Sequence, residues 1–276
     1  MKLLVTTDFS NNSKGAIKFA QTLANQVDNV EVIFYHGVYV TRPTKWNDTF
    51  FRAYEEEEMQ RLAKELKKFV NGTIDKAESN FATTQFVVKS SISLEKDMIK
   101  FAEQHKVDFV CMATRGAGLL RKIMGTHTSY IVNNSNIPVI VVPSHYKNKV
   151  LKKATYLSDF ENLETELAKV LFISKAAALE VEVLHYTSVV LDQEQFEYNS
   201  KLLSGKKYKN FHLNLKKEAL ELSLVDKITS YVQKTKPELL VMFTKRDKGF
   251  FESLFLPSKS AELTYTTRVP VLIFPK

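Results

Sequence analysis

Short, almost continuous apolar runs alternate along this chain with longer segments whose apolar residues recur every three or four positions. The first pattern predicts buried strands and the second predicts amphipathic helices. In the first half the runs at 2–7, 30–36, 84–90, 107–113 and 137–142 read as strands. Between them, a helix over 11–27 starts at Ser10 or Asn11 and carries Ala16, Ile17, Ala20, Leu23 and Ala24 on one face. After a loop containing Arg42-Pro43, a long helix over 47–78 brings Met59, Leu62, Ala63, Leu66, Phe69 and Val70 to one side. Further helices fall over 94–105 and 124–134. Apolar strands separated by helices mean a parallel sheet covered on both faces, hence a doubly wound α/β fold.

The pattern then repeats. Leu4-Val5-Thr6-Thr7-Asp8-Phe9 returns about 150 residues later as Tyr156-Leu157-Ser158-Asp159-Phe160. Val32-Ile33-Phe34-Tyr35-His36 is echoed by Val181-Glu182-Val183-Leu184-His185, and Asp108-Phe109-Val110 by Glu238-Leu239-Leu240. Ile137-Pro138-Val139-Ile140 returns as Val269-Pro270-Val271-Leu272. Four echoes in one order indicate a duplicated domain, far longer than a solenoid repeat. The expected domains are 1–145 and 149–276, joined by the polar stretch Ser144-His145-Tyr146-Lys147-Asn148-Lys149. The second copy follows the same order, less regularly between Leu191 and Lys209.

Composition adds little but removes several classes. The chain has 276 residues, 44% hydrophobic and 25% charged, with 8 glycines and 7 prolines, which is globular rather than disordered or fibrous. Its one cysteine, Cys111, sits in an apolar run, excludes an intrachain disulfide framework and fits a reducing, cytoplasmic setting. The opening apolar run is too short for a signal-peptide core, and no stretch has the length of a membrane span. The net charge of +8 favours anionic partners. Its lysines are scattered over both halves, however, without the tract that would mark nucleic acid as the partner. Glu55-Glu56-Glu57-Glu58 reads as a solvated helix face, with Arg61 placed to pair with Glu57, and not as a metal site. His36 and His185 stand at equivalent strand ends and read as structural.

Ligands of doubly wound sheets sit beyond the carboxyl ends of the strands, where strand order reverses. Two segments of the first copy converge there: Thr6-Thr7-Asp8-Phe9-Ser10, and the loop running from Ala113 and Thr114 through Arg115, Gly116 and Gly118 to Gly125, Thr126 and Thr128. With these segments and the repeated Pro-Val strand starts, essentially the whole chain resembles the universal stress protein family. The resemblance implies two five-stranded parallel sheets of order 3-2-1-4-5, the adenine-nucleotide alpha-hydrolase-like fold. In many members ATP is held by a loop G-x2-G-x9-G-[ST] and an aspartate after the first strand. On this pattern Thr7 and Asp8 lie at the nucleoside, Gly37 or Val38 at the base, and Ala113, Arg115, Gly116, Gly125, Thr126 and Thr128 around the phosphates, with Mg accompanying ATP and no other metal. The chain departs from it: alanine replaces the first glycine, and eight residues instead of nine separate Gly116 from Gly125. Arg115, Arg121 and Lys122 can compensate electrostatically.

The second copy departs further, with Phe243 at the first glycine position and Pro257 at the last. Proline has no amide hydrogen to offer a phosphate, and Phe243 is expected to crowd the cleft. The resulting expectation is a stress-associated regulator or sensor that binds an adenine nucleotide in its first copy only. The alternatives are a nucleotide-independent interaction scaffold and a slow ATPase, since no nucleophile or clear general base stands out. The apolar strands 139–142 and 271–274 are expected at sheet edges, where the two copies would pair within the chain; a homodimer is a further option.

Overall fold

The computed structural model describes residues 1–75, 77, 79–114, 126–187, 193–217, 223–244 and 269–276. Arg115, Gly116, Gly125 and Pro257 therefore lie outside the described residues, as does the side chain of Thr126. Backbone contacts divide the chain into two compact units, Met1–Asn148 and Lys149–Lys276.

The first unit contains β1 (Lys2–Thr6), α1 (Lys14–Ala24), β2 (Glu31–Val38), α2 (Asp48–Asn71), β3 (Thr83–Ser90), α3 (Leu94–Gln104), β4 (Phe109–Ala113), α4 (Thr126–Asn134) and β5 (Val139–Val142). Its strands are parallel in the order β3-β2-β1-β4-β5. The second unit contains β6 (Lys153–Leu157), α5 (Leu163–Ala176), β7 (Glu180–Thr187), α6 (Gln193–Leu203), β8 (Phe211–Lys217), α7 (Leu224–Thr235), β9 (Leu239–Thr244) and β10 (Val271–Pro275). Its strands are also parallel, in the corresponding order β8-β7-β6-β9-β10.

The central strands are buried on both faces, which is why their sequences are continuous apolar runs: Leu3, Leu4 and Val5 of β1 and all of β4 are covered. The predicted apolar face of α1 is fully buried. In α2, Leu62, Leu66 and Val70 are buried, whereas the half before them stands in solvent with Phe50 and Tyr54 exposed. That helix ends at Asn71 rather than near 78, because the Gly72 amide closes the last turn on the carbonyls of Lys68 and Val70. The expected Glu57–Arg61 pair is not formed. Arg61 instead bonds Glu58, at 2.5 Å, and Glu65, at 3.0 Å, the acids three and four residues away that share its face.

The two units match each other in backbone more clearly than in side chains. Among the described residues, six non-glycine residues have positive φ, and they form three pairs: Phe9 (61°) with Phe160 (66°), Asn29 (56°) with Ala178 (51°), and Lys106 (50°) with Lys236 (49°). The strand entries match as well. The amide of Lys2 donates to Asp108 at 2.7 Å and that of Lys153 to Glu238 at 2.8 Å.

Candidate functional site

The carboxyl ends of β1 and β4 part company in the first unit, because β2 and β3 continue to one side and β5 to the other. The chain leaving β1 is held by a relay of hydroxyls. Ser13 donates to the Ser10 carbonyl at 2.8 Å, so the Thr7 hydroxyl donates to Ser13 Oγ at 2.7 Å and accepts the Phe9 amide at 3.1 Å. Asp8 Oδ1 accepts both the amide and the hydroxyl of Ser10, at 3.1 and 2.6 Å, and so closes an Asx turn. Ser10, not Asp8, caps the following helical turn by accepting the Ser13 amide. Phe9 is thereby fixed in the left-handed region with its ring 4.3 Å from that of His36, whose Nδ1–H donates to the Thr7 carbonyl at 2.8 Å.

Beside this turn lies a cleft of about 180 Å³. Its wall is apolar, with Leu94, Met98, Met112 and Ile131, and its rim is polar, with Thr7, Asp8, Glu95, His127 and Thr128. Gly37 and Ala113 also line it, whereas Val38 is not among its lining residues. A Cβ on Gly37 would stand 3.2 Å from Leu94, so that residue keeps β2 close to α3. Thr128 is buried and donates to the Ala113 carbonyl at 3.1 Å, tying α4 to the end of β4. Burial, with help from Asp97, pushes the Tyr35 hydroxyl up to about 12 and keeps it protonated. The structure therefore gathers Thr7, Asp8, Gly37, Ala113 and Thr128 around one cavity. Thr126 opens α4, and Arg115, Gly116 and Gly125 fall outside the described residues. An apolar slot edged by hydroxyls and a carboxylate fits a nucleoside, whose flat base is apolar and whose ribose carries hydroxyls.

The second unit repeats the turn but fills the cleft differently. Ser158 accepts the Phe160 amide, and Asp159 accepts the Glu161 amide, both at 3.1 Å. His185 donates to the Ser158 carbonyl at 2.8 Å under the Phe160 ring. The cavity here is about 380 Å³, larger than the first. Phe243 therefore lines the cleft without crowding it, because its ring stacks on Phe274 at 4.8 Å and leans against Tyr156. What enters instead is the Lys276 ammonium, 2.5 Å from Asp159, 3.5 Å from Glu166 and 3.7 Å from Glu161. Glu166 is buried and takes the Tyr156 hydroxyl through Oε2, while its Oε1 has no hydrogen bond. Burial and this carboxylate push the Tyr156 hydroxyl strongly up. Burial disfavours a charged Lys276, yet the acids prevail and raise it. Superposing the buried positions Ser13, Ile17, Ala20 and Leu23 on Leu163, Leu167, Val170 and Ile173 puts Glu166 where the first unit has Ala16. Periodicity alone had hidden this carboxylate, since a lone glutamate among apolar helix positions looks like a solvated one.

The sequence profile of the universal stress protein family matches residues 1–143. A universal stress protein of Methanocaldococcus jannaschii is 28% identical over 150 residues, covering 51% of this chain and 81% of that protein. The crystal structure of a universal stress protein from Archaeoglobus fulgidus covers 100% of this chain and 96% of its own, with a TM-score of 0.68 and 14% identity. That of a putative universal stress protein from Pseudomonas aeruginosa covers 99% and 92%, with a TM-score of 0.57 and 15% identity. At such identities the two structures establish likeness of fold. Among the described residues no helix is long and apolar enough to cross a membrane.

Proposed function

Because the chain belongs to the universal stress protein family, we propose that it is a stress-associated cytoplasmic regulator whose first unit binds an adenine nucleotide, ATP foremost. The supporting observation is the first cleft, where Thr7 and Asp8 leave β1 beside the apolar slot and Thr128 anchors α4 opposite. In this reading Asp8 holds the ribose, Gly37 lets the base approach β2, and the loop from Arg115 to Thr126 meets the phosphates. The second unit, taken here as a further universal stress protein domain, binds no nucleotide. Its aspartate is engaged by Lys276 and its loop carries Pro257 in place of Gly125.

Calorimetry with ATP on the wild type, Asp8→Ala, Gly125→Pro and Asp159→Ala tests this. A micromolar site represents about 8 kcal/mol, and loss of a charge-assisted bond of roughly 1.5–3 kcal/mol weakens it about ten- to a hundredfold. One ATP per chain is expected, weakened about ten- to a hundredfold by Asp8→Ala and by Gly125→Pro and unchanged in Asp159→Ala. Two equivalent sites, or dependence on Asp159 alone, would sink the assignment. Absence of any nucleotide would favour the scaffold reading, and phosphate release above the Gly125→Pro background the ATPase one.

A further inference from the structure

A histidine and a carboxylate meet across the first cleft, and the nucleotide reading leaves them unused. Glu95 stands in the first turn of α3 and His127 in the first turn of α4. Both line the cavity, and His127 Nδ1 lies 2.6 Å from Glu95 Oε1. The pair is open to solvent, with the histidine side chain 63% exposed and the glutamate 27%. The titratable side chains among the described lining residues are Asp8, Tyr35, His36, Glu95 and His127. His36 gives Nδ1–H to a carbonyl, and Tyr35 is held protonated. His127 is thus the exposed imidazole of the cleft, and the group it holds is an anion.

A carboxylate oxygen and a phosphate oxygen are equivalent acceptors for an imidazolium, and the phosphate brings more charge. Resting on the nucleotide reading of this cleft, we propose that His127 is a phosphate-contacting, specificity-determining residue and that Glu95 is its built-in competitor. An entering ligand must exchange itself for Glu95. Exposed ion pairs are weak, so a polyphosphate makes the exchange readily. Adenosine offers nothing to His127 and leaves the pair closed. Glu95 also places a like charge beside the incoming phosphates, so the pair screens ligands by the charge they bring. His127 directly follows the Gly125-Thr126 pair of the glycine loop and Glu95 stands outside that loop, so the screen is a property of two side chains at the mouth.

The test uses the full chain, with ATP and adenosine each titrated into the wild type, Glu95→Gln and His127→Gln, and with His127 ring signals followed by NMR. Glu95→Gln should bind ATP roughly three- to tenfold more tightly, through loss of the competitor and the like charge. His127→Gln should bind it roughly five- to thirtyfold more weakly, through loss of a charge-assisted contact. Adenosine affinity should be the same in all three proteins, and ATP alone should move the His127 signals. ATP binding by Glu95→Gln where the wild type binds none would support the latch in its strongest form. Unchanged ATP affinity in both variants, or equal shifts for ATP and adenosine, would overturn the latch and leave nucleotide binding standing. Failure of all three proteins to bind either ligand would overturn both.

Discussion

Residues held in the left-handed region separate into two kinds in this protein. Phe9 and Phe160 cannot be relaxed without losing the ring contacts with His36 and His185 that order the turns after β1 and β6. Lys236 is different. It ends α7 with its side chain in solvent and its amide on the Val232 carbonyl, a position that glycine fills at no steric cost. A left-handed L-residue costs about 1–2 kcal/mol, and the added freedom of an unfolded glycine offsets roughly 0.4–1 kcal/mol. Lys236→Gly should therefore stabilise the second unit by about 0.5–1 kcal/mol, read as a rise in denaturant midpoint with an unchanged slope. The glutamine replacement of Glu238 addresses another residue with a structural charge. Burial pushes its carboxyl up, but bonds from Lys149, at 2.7 Å, and from the Lys153 amide prevail and hold it below its ordinary 4.5. A depressed acid contributes stability that is complete above its unfolded value and is lost as pH falls through the folded one. Acid titration of the wild type should thus steepen below pH 4.5, and Glu238→Gln should flatten that limb; parallel curves would refute the assignment.

At the scale of the element, α1 packs against the end of β5 through a contact with no room to spare. A Cβ on Gly15 would lie 2.3 Å from the Pro143 carbonyl oxygen, and that oxygen belongs to the backbone. Helix propensity alone favours alanine over glycine by about 1 kcal/mol. Overpacking of this kind costs roughly 1–3 kcal/mol, so Gly15→Ala should be neutral at best and destabilise the first unit by up to about 2 kcal/mol. Thermal melts would show it, and a clear rise in melting temperature would mean that α1 is free to shift. The helices were legible because their apolar faces bury what periodicity says they bury: Ala16, Ile17, Ala20 and Leu23 all point inward. The far end of α2 was not, since Phe69 and Val70 continue the helical spacing to where Gly72 ends it. Apolar spacing reports a face, while a helix stops where its last carbonyls find another donor.

Over the whole chain, the ordered echoes of sequence made two parallel five-stranded units legible before any coordinate. The first cleft was legible for the same reason: strand order reverses after β1, and Thr7, Asp8 and Thr128 come from the two segments that reversal exposes. The second cleft was not. Its lysine follows β10, far in sequence from Asp159 and Glu166, and nothing local in those three residues announces that they meet. Glu95 and His127 escaped notice for a similar reason, being ordinary surface residues until two helix starts bring them together. The Lys276 contact carries a consequence for how the two halves answer their surroundings. A cation supplied by the chain itself acts at an effective concentration of about millimolar or more, whatever the cell contains, so dissolved amines compete with it poorly. The second cleft is in this sense a lock delivered with its key already turned, and fluctuations in dissolved amines leave that contact as it is. On the proposed reading, the response of this protein to nucleotide levels runs through its first half.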